Sequence, residues 1–308
     1  MELINTAPGK LQALRVRARG IAAAKGWVAV YADLFKARLT LLVLLTTLIG
    51  FYLGSRGGVD GLRMLHTILA TGLLAGGGAA LNELLERDYD AKMRRTQDRP
   101  LPSGRLQPRT VLAVGVGAAV AGMLYLALAV NALAAGLGAL TLVTYVFVYT
   151  PLKRVTWLNT AVGAIPGALP PLIGWAAARG ELSLGAFALF AIQGLWQVPH
   201  FMAIAWIYRD EYAKAGFKML PVLDPEGRRT SRQTLLHALA LLPVSLCPFL
   251  LHVAGAAYLA AALVLSLAFL GMAVQFVRHL TIAHARRLFL LSIVYLPLLL
   301  GTMVLNKV

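Results

Sequence analysis

The sequence predicts an all-α membrane protein, a bundle of about nine transmembrane helices around a central cavity. Its 308 residues are 59% hydrophobic and only 14% charged, and its mean hydropathy is +0.72, far too apolar for a soluble globular domain. Apolar runs of the length needed to cross hydrocarbon, about 20 residues, recur along the chain. The basic residues between them alternate from loop to loop, as they do when Lys and Arg collect on the cytoplasmic side.

Residues 1–38 carry seven Lys and Arg and no continuous apolar core, so they read as a basic leader on the cytoplasmic membrane surface, not as a cleaved signal. Residues 39–308 read as one transmembrane domain. The expected spans lie near 39–55, 65–86, 110–130, 132–150, 158–177, 184–207, 234–252, 255–277 and 287–306. Little more than Asn131 separates the third from the fourth, which makes that junction the weak point of the count. With the N-terminus cytoplasmic, 25 of the 29 basic residues fall on one side, and only Arg56, Arg63, Arg179 and Lys307 fall outside it. The expected topology is therefore N-in and C-out. The net charge of +16 is then mostly a topology signal with affinity for anionic headgroups, and nucleic acid is not expected as a partner. Cys247 is the single cysteine, which excludes an intrachain disulfide.

Acids obey no side rule, yet nine of the 13 lie in 83–98 and 210–226, both on the side where the cations collect. Asn82, Glu86 and Asp90 are four residues apart, so on a helix each is turned only about 40° and displaced roughly 6 Å from the last. That face gathers two carboxylates and an amide at what reads as an exposed helix end. Like charges so placed repel mildly, and oxygen ligands of this kind suit Mg²⁺ with phosphate and water completing the shell. The competing reading is a solvated helix end, because Glu83–Arg87, Asp88–Lys92 and Asp90–Arg94 are ordinary i, i+4 pairs. After the sixth span, Asp210 and Lys214, with Tyr208 and Tyr212, repeat the pattern of a charged helix end and suggest two related halves. With Arg94, Arg95, Arg99, Lys153 and Arg154 nearby in loop order, the two ends read as a diphosphate cradle above a lipid-lined cavity.

These residues resemble a known pattern. Asn82-x-x-x-Glu86-x-x-x-Asp90, followed by Lys92-Met93-x-Arg95-Thr96-x-x-Arg99 and Leu101-Pro-Ser-Gly104, resembles the first aspartate-rich motif of the UbiA-type intramembrane prenyltransferases. The similarity continues through Lys36-Ala-Arg38-Leu-Thr, Tyr149-Thr-Pro-Leu-Lys153-Arg154 with Asn159, the Gly163–Trp175 run, Pro199-His200-Phe201, and Tyr208-Arg-Asp210-Glu-Tyr212 through Pro221. Glu86 stands where Asp is usual, Ala37 replaces a common Pro, and Trp157 occupies a frequent Pro position. The resemblance implies farnesyl transfer from farnesyl diphosphate to a vinyl group of haem B, giving haem O. It further implies Mg²⁺ as cofactor, Asn82, Glu86, Asp90 and Asp210 as the metal and catalytic set, and Arg95, Arg99, Lys153, Arg154 and Lys214 as diphosphate or propionate contacts. His200, with Gln193 and Gln197 at i−7 and i−3, reads either as a haem contact or as a structural hydrogen bond. The same resemblance implies a bacterial inner-membrane enzyme whose site opens to the cytoplasm, in contact with membrane lipid, with haem A synthase a candidate partner. Preferred isoprenoid length and oligomeric state have no signature here. The rival readings are a related prenyltransferase acting on a quinone precursor, and a transporter. The latter would place ionisable groups near the bilayer midplane, where these spans carry almost none.

Overall fold

The computed structural model describes residues 26–308, so most of the expected leader lies outside the described residues. Among these residues nine helices are long and apolar enough to span a membrane, and the chain is an integral membrane protein. A short helix α1 (Trp27–Leu34) leads into the spans α2 (Ala37–Gly54), α3 (Gly61–Asp90), α4 (Pro108–Ala129), α5 (Ala132–Val155), α6 (Asn159–Arg179) and α7 (Leu184–Ile207). Two short helices follow, α8 (Arg209–Ala215) and α9 (Leu220–Leu223). The last three spans are α10 (Arg228–Leu250), α11 (Ala256–His279) and α12 (Ile282–Leu305).

Asn131 does separate two spans. Its side chain accepts from the Ala134 amide and so caps α5, while its amide nitrogen donates to Ala176 O on α6 at 2.8 Å. One residue thus ends a hydrophobic stretch that composition alone would run together.

The spans pack around two apolar centres. α2, α3, α4 and α6 share one, built on Phe51, Leu74, Leu126 and Ile173; α7 and α10–α12 dominate the other, with Leu189, Tyr258, Phe269 and Tyr295. Lipid gives helices no hydrophobic reason to associate, so close approach and interhelical hydrogen bonds must do it. At Gly174 a Cβ would stand 1.9 Å from Thr47 O, and at Gly50 a Cβ would stand 2.1 Å from Pro171 O, so α2 and α6 meet backbone to backbone. In the second centre the Tyr295 hydroxyl bonds Ser245 and Ser266 at 2.8 and 3.0 Å, and Tyr258 donates to Ser245 O.

α6 bends at Pro170–Pro171. Pro171 has no N–H to offer the carbonyl four residues back, which is Gly167, and Gln193 of α7 donates to that oxygen at 2.7 Å instead. Gln197 donates to Ala164 O and Gln193 O. The Gly- and Pro-rich run therefore supplies both close packing and a local break, which Gln193 repairs while Gln197 ties α7 to α6 beside it.

Candidate active site

The functional face of α3 comes together at its C-terminal turns. Asn82, Glu86 and Asp90 share one side of the helix and all three are buried. The exposed helix end expected from sequence is absent: the α1–α2 turn, the end of α5 and the loop 91–107 close over it. Three cations enter from those covers, one to each motif residue. Lys36 Nζ donates to Asn82 Oδ1, Lys153 Nζ pairs with Glu86 Oε1 at 2.8 Å, and Arg99 Nη1 donates to Asp90 Oδ2 at 2.5 Å.

Each cation is delivered by a local irregularity. α1 and α2 are separated at Phe35–Lys36, and Lys36 adopts φ +47, a left-handed conformation that costs a non-glycine residue roughly 1–2 kcal/mol. That turn aims the side chain inward, and its tip also reaches Tyr145 Oη at 3.3 Å. Lys153 follows a π-helical segment, Thr144–Tyr149, a distortion often found at functional sites. Pro151 cannot donate into that turn, and Thr150 Oγ1 donates to Tyr145 O while accepting from Asn82 Nδ2 at 2.9 Å. The wider turn sets Tyr145 and Tyr149 side by side, with the Lys153 ammonium 4.5 Å from the Tyr149 ring centroid. Arg99 belongs to a loop anchored by Glu83, whose Oε1 accepts from the Leu101 amide at 2.8 Å.

Glu83, Glu86 and Asp90 face Lys36, Arg99 and Lys153, so the cluster is balanced in charge when all are ionised. Burial pushes the Lys36 ammonium down to about 7, with the Arg99 charge adding to the effect. Burial also works against the Arg99 charge, but Asp90, Glu83 and Glu86 outweigh it and raise the guanidinium above its ordinary range. Both cations are held where an incoming anion would be favoured. Below them a small apolar cavity of about 40 Å³ is bounded by Gly78, Tyr145, Val43, Leu74 and Ile173, Gly78 lying one turn before Asn82 on α3.

The second charged helix end meets the first but does not merge with its carboxylates. Arg95 donates from its amide to Glu211 Oε2 at 3.4 Å and from its side chain to Tyr212 Oη at 3.0 Å, and Lys218 N donates to Lys153 O at 2.7 Å. Both acidic segments therefore stand at one end of the bundle. α7 ends at Ile207, however, and α8 restarts at Arg209 after the single residue Tyr208. The reset turns Glu211 and Tyr212 toward Arg95 and leaves the Asp210 side chain 89% exposed, 3.9 Å from Arg209. Lys214 is exposed as well. Arg154 donates to Leu85 O at 2.8 Å and lies over the Tyr89 ring, bracing α3 from outside the cluster. His200 is packed between Trp196 and Phe289, and its Nδ1 is 2.7 Å from Ser292 Oγ. Gln193 and Gln197 serve the α6 break and not this imidazole. Sequence reasoning missed Lys36, Thr150, Tyr145 and the anchor Glu83 as parts of the site. The signals for Lys36 were its place as the last lysine before the first span and its position in the matching segment Lys36-Ala-Arg38-Leu-Thr.

The fold and site define a class of protein, a membrane-embedded all-α helical bundle with a buried, charge-matched amide–carboxylate face at one end. The chain belongs to the UbiA prenyltransferase family, whose family pattern matches residues 43–296. It is an enzyme, a prenyltransferase. It is 50% identical over 286 residues to protoheme IX farnesyltransferase of Solibacter usitatus, across 90% of this chain and 98% of that one. It is 38% identical to the mitochondrial protoheme IX farnesyltransferase of Arabidopsis thaliana, across 90% of this chain and 65% of that one. Among solved structures it is similar to that of a digeranylgeranylglyceryl phosphate synthase, with a TM-score of 0.78 at 15% identity over 91% of this chain and 98% of the other. A UbiA homologue from Archaeoglobus fulgidus bound to DMAPP and Mg²⁺ gives a TM-score of 0.62 at 16% identity, covering 89% and 98%. These likenesses at low identity establish the shared fold.

Proposed function

We propose that the chain transfers the farnesyl group of farnesyl diphosphate to a vinyl group of haem B, giving haem O. The observation that carries this reading is the 50% identity to a protoheme IX farnesyltransferase over nearly the whole of both chains. The site chemistry agrees with it.

Among the described residues no group of three or more His, Cys, Asp or Glu is placed to hold a metal. A protein that offers only Glu86, Asp90 and the Asn82 carbonyl on one face fits a metal that takes its remaining ligands from diphosphate and water, which is the habit of Mg²⁺. When bound, Mg²⁺ neutralises charge on the departing diphosphate. Asn82, Glu86 and Asp90 would hold the metal, and Lys36, Lys153 and Arg99, which pair with those three residues, stand where they would meet diphosphate oxygens. They hold the leaving group as the C1–O bond breaks. Tyr145 and Tyr149 line the approach to the tail, where their ring faces favour an allylic cation. The terminal vinyl carbon attacks farnesyl C1, water adds to the resulting cation beside the porphyrin, and one proton leaves to give the hydroxyethylfarnesyl group and free diphosphate.

Arg95 and Arg154 take supporting roles, ordering the loop over the site. Asp210 and Lys214 belong to this reading as contacts made when the segment 208–221 folds onto bound substrate. His200 retains one ring nitrogen, Nε2, for a haem contact, Nδ1 being committed to Ser292. We assign the site to the cytoplasmic side of a bacterial inner membrane on the asymmetry of the basic loops, residues 39–308 to one catalytic domain, and a haem A synthase to the next step as candidate acceptor of the product. The deciding experiment incubates purified protein with haem B, farnesyl diphosphate and Mg²⁺ and reads the porphyrin by mass. A farnesyl-plus-hydroxyl increment that vanishes with chelator is expected, and unchanged haem, with prenylation of a quinone precursor supplied in a parallel incubation, would overturn the assignment.

A further inference from the structure

A second cavity lies at the opposite ends of the same helices. Lys36 opens α2 and Asp90 closes α3, whereas this cavity sits where α2 ends and α7 begins, with the α10–α11 turn and Lys307 completing it. It measures about 950 Å³ and is lined by Tyr52, Arg56, Trp175, Arg179, His252 and Lys307 among others. Three of its lining residues, Arg56, Arg179 and Lys307, belong to the four cations that break the segregation of basic residues to the far end. Topology therefore does not explain them, and basic residues are disfavoured on this side.

The cavity is built, and it is short of acceptors. Lys307 is fixed by a bridge with Ala254 and donates to Tyr52 O and Ser55 O at 2.7 Å each, which places an ammonium at the C-terminal carbonyls of α2 and leaves one of its three donors. Arg179 lies over the Trp175 ring, 4.9 Å from its centroid, with Ser183 Oγ at 3.4 Å. Its buried Nε has no hydrogen-bond partner, and neither has the indole Nε1 of Trp175, a side chain that is only 2% exposed. Glu181 is the acid at hand, and it sits 3.4 Å from Arg56 in an exposed pair. No described carboxylate pairs with Arg179 or Lys307. Burial and the neighbouring Arg179 charge hold the Lys307 ammonium below its ordinary range, and Glu181, the acid that acts on Arg179, is exposed and shared with Arg56.

We infer that this cavity is a binding site for a phosphate-class oxyanion, met by the Arg179 guanidinium, the Lys307 ammonium and the Trp175 indole N–H. The cavity stands at the span ends, the level at which lipid phosphates lie, and its Tyr52, Leu53 and Trp175 walls suit the glycerol and first acyl carbons of an anionic headgroup. The sources of such a group are a membrane lipid and free phosphate. Neither depends on the reaction proposed for the other end.

The test uses the full chain purified in detergent and stripped of lipid. Native mass spectrometry titrates phosphatidylglycerol against phosphatidylcholine, and a parallel thermal-unfolding series compares inorganic phosphate with chloride at matched ionic strength. The wild-type chain is expected to prefer phosphatidylglycerol, and Arg179→Gln/Lys307→Gln to bind it about 30-fold more weakly with prenyl transfer unchanged. A stabilisation by inorganic phosphate that the double variant loses, without any lipid preference, would assign the site to the free anion. Equal binding of both lipids with no phosphate stabilisation, or equal phosphatidylglycerol affinity in wild type and variant, would overturn the proposal. Should the double variant fail to fold, Arg179→Lys and Arg56→Gln carry the same comparison, the first expected to keep most of the affinity and the second to lose up to about tenfold.

Discussion

Replacing Arg99 by Met should destabilise the protein well beyond what an ion pair seen at a surface would suggest. The Asp90 side chain is 1% exposed and that of Arg99 24%, with 2.5 Å between Nη1 and Oδ2. Removing one partner of a buried pair strands the other charge, at a cost of about 3–5 kcal/mol; the residual exposure of Arg99 puts this case near about 3 kcal/mol. A loss of that size lowers the melting temperature by about 6 °C or more. Arg87 and Asp88 provide an internal control only a turn away, 3.0 Å apart but with side chains 44% and 76% exposed, and Arg87→Met should shift melting by no more than about 1 °C. The double variant Arg99→Met/Asp90→Asn removes both charges and should recover much of the lost stability while remaining inactive. Thermal unfolding in detergent, with prenyl transfer measured on the same samples, checks all of this. If Arg99→Met and Arg87→Met melt alike, or if the double variant is as unstable as the sum of its parts, the Asp90 carboxylate is not the buried, dependent charge described above.

Lys36→Gly should relieve the left-handed strain and raise or preserve the melting temperature, yet abolish transfer; full activity would remove Lys36 from the diphosphate set. Asp90→Ala should abolish turnover and Glu86→Asp should retain it, read by the mass of the porphyrin product, whereas Asn82→Ala should lose both turnover and stability because its amide joins Lys36 to Thr150. His200→Ala should raise the KM for haem more than that for farnesyl diphosphate, since Nδ1 is held by Ser292 and Nε2 is left for the porphyrin; equal changes with lowered melting would confine the imidazole to its bond with Ser292. Reporters fused after residues 105 and 225 should both read as cytoplasmic and one near residue 60 as external, and a split between the first two would contradict the contact of Arg95 with Glu211 and Tyr212.

The sequence by itself determined the nine spans and the shared face of Asn82, Glu86 and Asp90. Both follow from short-range rules, the thickness of hydrocarbon and the period of a helix, which hold whatever the neighbours do. For the Gly- and Pro-rich run 163–174 the sequence left close packing and a local break both open, with packing favoured, and the structure has both. Only the tertiary structure decided that the motif is buried, since burial depends on which loops close over a helix end. It alone brought Lys36 to Asn82 across 46 residues and used a π-helical turn to seat Thr150 against the same amide. It also left Asp210 outside the cluster, because a one-residue restart between α7 and α8 redirects every side chain that follows. The periodicity of 206–229 gives no warning of that restart. The partners of the two glutamines were likewise hidden, for Gln193 answers the Gly167 carbonyl that Pro171 leaves unmet on another helix, and Gln197 bonds Ala164 O of that helix and Gln193 O.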